Sequence, residues 1–158
     1  MRIKLPLYIV CITLTILYSQ RAFSQAIEVI QPINFGHVVI IDNHSVGVMD
    51  IDERGDFRTS NHFRIITPGH PGIVELRDFA LSSEMFVSGY VLQSRASSGI
   101  ASPETFTLTQ VNIANSIYTR GDGSAEVKFG AQLSTSGSGS QQFTDTTFTM
   151  RVKLVFQY

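Results

Sequence analysis

FTMRVKLVFQY, residues 148–158, alternates apolar and polar side chains with a single fault and stops on an aromatic. Successive side chains of an extended strand point to opposite sides. Phe148, Met150, Val152, Leu154, Phe156 and Tyr158 therefore share one face and Thr149, Arg151, Lys153 and Gln157 the other, with Val155 as the exception. Burying six such side chains is worth on the order of 9–18 kcal/mol before chain entropy is subtracted, so the segment is expected to be core. It is read as a central strand of a β-sandwich. A strand recognised by an assembly factor and the closing strand of an outer-membrane barrel are the alternatives.

The chain upstream has the same texture. Alternating, β-branched or aromatic runs of a few residues break at Gly, Pro, Asn, Asp or Ser, the pattern of an all-β sandwich or barrel. Strands are expected over 27–33, 37–41, 45–51, 62–67, 72–77, 84–93, 105–112, 116–119, 125–133 and 146–158. Residues 78–84 are the single helix candidate. A membrane barrel requires about eight or more strands of 9–11 residues with an apolar outside; most of these runs are shorter, and Val38-Val39-Ile40-Ile41 is apolar at consecutive positions. Among the breaks, Asn34-Phe35-Gly36 joins an apolar anchor to a residue free to take positive φ, and residues 134–140, STSGSGS, read as a flexible polar loop before the last strand.

The amino-terminal residues have a different composition. Arg2 and Lys4 precede an apolar stretch from Leu5 to Tyr18, and small residues stand after it at Ala22, Ser24 and Ala26. This is the pattern of a cleaved export signal over residues 1–24, and the apolar stretch is shorter than the roughly 20 residues that span a bilayer as a helix. No stable membrane span is expected, and residues 25–158 then form one domain. The only cysteine, Cys11, leaves with the signal, so packing and the hydrogen-bond ladder must hold that domain. Nine basic residues stand against thirteen acidic ones from residue 25 onward, with no basic stripe to neutralise phosphates, so nucleic acid is not an expected partner.

Chemistry-bearing patterns are sparse. Asp50, Asp52 and Gly55 fit the start of a calcium loop, but Arg54 stands at the fifth position and Asn61 at the twelfth, where a calcium loop needs an oxygen ligand and a glutamate. A weaker calcium site over Asp50, Asp52 and Asp56 remains as a candidate beside the reading of a solvated acidic hairpin loop. His37, His44, His62 and His70 have no metal-ligand spacing, and whether His62 and His70 face each other across a hairpin is left open by the sequence. There is no GxSxG elbow and no phosphate-cradling loop. Asn43-His44-Ser45 is a glycosylation sequon, meaningful only in a eukaryotic secretory host. No catalytic or cofactor-binding residues are assigned, and the chain is read as a non-enzyme.

Ile33-Asn34-Phe35-Gly36, the valines flanking Gly47, the turn from Asp52 to Gly55, Pro71-Gly72, Phe86-Val87-Ser88-Gly89 and the run from Val127 to Leu133 together resemble an exported bacterial family of domains of unknown function. That family is similar to the pilin and adhesin sandwiches of chaperone-usher systems, including the spore-coat-like pilins, and the likeness covers about residues 27–158. The resemblance implies an immunoglobulin-like antiparallel β-sandwich, secreted to the periplasm, cell envelope or cell surface. It implies a structural or adhesive subunit whose partners are identical subunits or a periplasmic chaperone and usher, joined by exchange of a strand. On this reading residues 25–33 are the donated strand, through Ile27, Val29 and Ile33, or else the first strand of a complete domain. Phe156 and Tyr158 mark the edge that a chaperone reads. Two departures stand out: the domain has no disulfide, and Pro32 removes a ladder hydrogen bond from the donor segment. A self-contained secreted or periplasmic binding module is the competing expectation, with a small outer-membrane barrel behind it.

Overall fold

The computed structural model describes residues 24–140 and 142–158. The expected signal at residues 1–24 lies outside the described residues except for Ser24, as does Cys11. Eleven strands succeed one another: β1 (Ala26–Gln31), β2 (His37–Ile40), β3 (Val48–Ile51), β4 (Phe57–Thr59), β5 (Phe63–Thr67), β6 (Gly72–Arg77), β7 (Glu84–Ser98), β8 (Thr107–Ile113), β9 (Ser116–Tyr118), β10 (Ala125–Ser134) and β11 (Phe148–Gln157). Every ladder between them is antiparallel. The fold is all-β and sandwich-like. Among the described residues no helix is long and apolar enough to cross a membrane.

The main path runs β1-β6-β10-β8-β7-β11, with β3 joining β10 to β4, β9 pairing with β7, and β2-β5 forming a separate two-stranded sheet. Two strands change partners along their length. β10 pairs with β6 over 125–129 and, on the same edge, with β3 over 131–134, while β8 takes its other edge. β7 starts beside β9, runs along β11 and shares a ladder pair with β8 at Arg95 opposite Thr107. Strands that cross between layers in this way let the ladder fold over itself and enclose a core.

That core has two parts. Val74 and Leu76 of β6, Met85 and Val87 of β7, Ala125, Val127 and Phe129 of β10, and Phe79 form the first. Met49, Phe63, Ala96, Phe106, Leu108, Ala131 and Leu133 form the second. In β10 the odd-numbered residues from 125 to 133 are all buried, as the two-residue period of a strand demands.

Four sequence expectations are corrected. The terminal strand is not central: among the described strands β11 pairs with β7 alone and ends the path. Its inward face is right, but Phe148, Met150, Val152, Leu154 and Phe156 are half-buried and Tyr158 is 75% exposed, since no described strand flanks them on the other side. Residues 78–83 form bends and turns leading into β7 at Glu84, because Asp78 and Ser82 take positive φ values of 62° and 49°, incompatible with a helix. A strand missing from the expected set, β4, follows the acidic turn and pairs back on β3, with Phe57 packed against the second core. β7 runs on to Ser98 through a serine-rich tail whose low strand propensity concealed it.

Candidate functional site

A strand at the end of a ladder leaves one row of backbone N–H and C=O groups without a strand partner. Two such strands here, β2 and β11, border the same groove, which encloses about 1160 Å³. Among the described strands β2 pairs only with β5, and β11 only with β7. Val38 and Ile40 lean into the second core from the β2 side, and Phe148, Met150 and Val152 from the β11 side. Between them the groove reaches down to Met49, Phe106, Leu108, Ala131 and Leu133, all buried. It is a gap in one layer, floored by the inner face of the other.

The turn at Asn34-Phe35-Gly36 closes one end. Gly36 has φ 78°, its N–H donates to Asn34 Oδ1 at 2.8 Å, and Phe35 packs on the second core, as the sequence suggests. A Cβ on Gly36 would sit 2.1 Å from the Thr67 carbonyl oxygen, so no larger residue fits the turn.

The other wall is held by the stretch read as a flexible loop. Residues 135–140 instead wrap around Asn43, which is 0% exposed. Asn43 Nδ2 donates to Ser140 O (2.6 Å), Ser136 Oγ (3.1 Å) and Ser138 Oγ (3.4 Å), while its Oδ1 accepts from the Gly137 N–H (3.1 Å). The Ser136 and Ser138 hydroxyls donate onward to the Glu104 carboxylate at 2.6 and 2.5 Å. Phe106 then grips the next stretch of chain, meeting the Phe143 ring at 5.2 Å and the Phe148 ring edge-on at 5.1 Å. Sequence reading identifies Asn43 only as a sequon residue; a buried amide beside a serine-rich loop is the pattern of a hydrogen-bonded clasp.

The Ser136 and Ser138 hydroxyls hold the Glu104 carboxyl below its usual 4.5. Its contribution to stability is thus fully present above that value and is lost as pH falls through the lowered one. Glu104→Gln is expected to lower the melting temperature at pH 7 and to converge on the wild type as pH falls below the lowered value. Thermal unfolding of both proteins across pH 3–7 checks this, and a constant gap would contradict it.

The segment singled out for strand donation is divided by the structure. Ile27 and Val29 lie in β1, 55% and 62% exposed, although they stand opposite Leu76 and Val74 of β6. Ile33 falls beyond the strand and packs on both cores. The strand ends at Gln31, because Pro32 has no N–H to continue the ladder and the register already slips between Val29 and Gln31. At the carboxyl end Phe156 packs on the first core, and Tyr158 meets Phe79 edge-on at 6.2 Å.

The calcium candidates have partners within the chain. Asp50 Oδ1 accepts from Asn112 Nδ2 at 2.7 Å. Asp52 Oδ1 accepts the backbone N–H groups of Arg54 and Asp56, both at 2.9 Å, and Arg58 lies 3.9 Å from the carboxylates of Asp52 and Asp56. Burial pushes the Asp52 carboxyl up, but the N–H donors of Asp56, Arg54 and Gly55 outweigh it and hold the group low. Among the described residues no three His, Cys, Asp or Glu side chains gather to hold a metal. Asp50 and Asp52 also line an open polar cleft of about 590 Å³ with Tyr90, Gln110, Asn112 and Asn115.

His62 and His70 do not meet. His70 bridges Asn34, whereas His62 sits between two serines, Nε2 at 2.7 Å from Ser45 Oγ and Nδ1 at 2.9 Å from Ser60 Oγ. The Asp42 carboxylate is 3.9 Å from the same Nε2, and at 2.5 Å from His44 Nδ1 it is chiefly His44's partner. A catalytic triad needs the carboxylate on the nitrogen remote from the serine nucleophile. Ser60 occupies that place.

No family model, no curated protein and no solved structure matches this chain.

Proposed function

We propose that this protein is a non-enzymatic structural subunit of a bacterial cell surface or fibre. On this reading it is an immunoglobulin-like sandwich one strand short, and the groove between β2 and β11 receives the amino-terminal strand of another copy. The observation that carries the reading is the groove itself, floored by buried core side chains and flanked by two strands with one partner each. An extended segment laid there pairs with backbone on both sides and covers an apolar floor, so main-chain hydrogen bonds supply affinity and alternate side chains supply selectivity. β1 suits the role of donor: it is a preformed strand, paired among the described strands with β6 alone, with Ile27 and Val29 on one face and exposed. Before assembly an exposed apolar groove needs cover, which is the part of a periplasmic chaperone and usher.

A synthetic peptide of residues 24–33 tests the proposal. It is expected to form a one-to-one complex and to slow amide exchange in β2 and β11. At a hundredfold excess over its Kd it should add about 2.7 kcal/mol of stability. The same peptide with Val29→Asp should not bind, because it would place an unpaired charge on the apolar floor. If neither peptide protects β2 and β11, the proposal falls. One observation favours the competing reading, a self-contained secreted or periplasmic binding module: β1 already has a ladder partner in its own chain.

A further inference from the structure

We infer that the docking of β1 along β6 is a storage state, an autoinhibitory contact that withholds the donor strand until it is released. This rests on the reading of the β2–β11 groove as a strand acceptor. The strand now lies along β6, at the other end of the path from β11, with Ile30 and Gln31 among the residues lining the groove, so one molecule holds a bound donor and an open acceptor at once.

The hold on the stored strand is slight. β1 meets β6 through five aligned pairs, from Ala26 opposite Arg77 to Gln31 opposite Ile73, interrupted by one irregularity. Its apolar side chains gain little cover there, as Ile27, Val29 and Ile30 are all more than half exposed. Only a few side-chain ties supplement the ladder. Arg77 reaches Glu28 at 3.5 Å while bonding more closely to Glu75 at 2.5 Å, Gln25 Nε2 donates to Tyr158 OH at 3.0 Å, and Gln31 Nε2 donates to Pro71 O at 2.8 Å. The exposed ties among these hold weakly, and the part-buried Gln31 bond is the firmest of them. Transfer to the groove would replace one ladder by two and set Ile27 and Val29 against buried side chains.

The vacated edge is tolerable as well. β6 presents Glu75 and Arg77 on its outward face, already paired with each other, and charges on an edge discourage chance pairing with other chains. Residue Tyr158 connects the two ends of the device: its hydroxyl holds Gln25 while its ring rests on Phe79. Loosening of the residue that follows β11 thereby also loosens Gln25, the residue that precedes the stored strand.

The test is a reversible lock. In the full chain carrying Cys11→Ser, Glu28→Cys and Glu75→Cys place two thiols at directly opposed positions of the β1–β6 ladder, within the reach of a disulfide. The oxidised protein is expected to run as a monomer in size-exclusion chromatography and still to bind the 24–33 peptide, while the reduced protein forms ladders, with at least tenfold more assembled material. Arg77→Gln in the wild-type chain should assemble faster than its parent. Identical chromatograms for the oxidised and reduced forms, whether monomers or ladders, overturn the storage inference even where the peptide binds. Failure of the oxidised protein to bind the peptide instead removes the groove reading on which it rests.

Discussion

Gly130→Ala is expected to abolish accumulation of folded protein. A Cβ at this position would stand 1.8 Å from the carbonyl oxygen of Ile51 and 2.6 Å from its carbonyl carbon, both backbone atoms of a residue that is itself wholly buried. Backbone cannot swing aside as a flexible side chain can. The contact exists because β10 exchanges one neighbour for another at this point: β6 pairs through Phe129, β3 begins at Ala131, and the end of β3 crosses over the residue between. Asn112 Nδ2 pins the same Ile51 oxygen at 3.0 Å, which blocks the obvious escape. Relief requires separating β3 from β10, at a cost above about 4 kcal/mol, a large share of the roughly 5–15 kcal/mol that a domain holds in reserve. Soluble yield and far-ultraviolet circular dichroism read the result. Gly121→Ala, where an added Cβ meets nothing within 4 Å, is the control and should stay within about 0.5 kcal/mol of wild type. Equal behaviour of the two variants would contradict the partner switch at β10.

The second large effect is expected at Asn43. Asn43→Ala removes a wholly buried amide that serves three acceptors and one donor of the 136–140 segment. The serine hydroxyls have Glu104 to turn to, but the Ser140 carbonyl and the Gly137 N–H are left without that partner. Two backbone groups orphaned in this way cost roughly 3 kcal/mol, an expected fall of about 1–2 M in the urea midpoint. Asn43→Asp keeps the shape but offers Ser140 O an oxygen in place of a donor, and it should lose at least as much. The loss should also appear as faster amide exchange between Thr144 and Met150, since the clasp leads directly into the wall of the groove. A midpoint unchanged in both variants would show that the segment is held by something other than the amide.

How much of the fold is legible in the amino-acid order depends on what a strand reveals about itself. β6 was legible to the residue, since Pro71-Gly72 opens it and Ile73 to Leu76 carry it. The inward face of β11 was legible because alternation is a local property of extended backbone. The tail of β7 was not, because Ser94, Arg95, Ser97 and Ser98 have weak strand preference and are placed by the partners opposite them, Phe148 and Thr149 among these. Nor was the clasp, whose decisive hydrogen bond joins Asn43 to a carbonyl 97 positions away.

Hence the amino-acid order alone established that the chain would be extended nearly throughout, which side chains would turn inward, and where it would bend. Only the tertiary structure decided that β11 would end the ladder instead of lying within it, that β1 would settle on β6, and that a gap would remain between β2 and β11. The reason is physical: side-chain period belongs to a single strand, whereas adjacency is settled by backbone hydrogen bonds between segments far apart in the chain, where every exposed edge presents the same donors and acceptors.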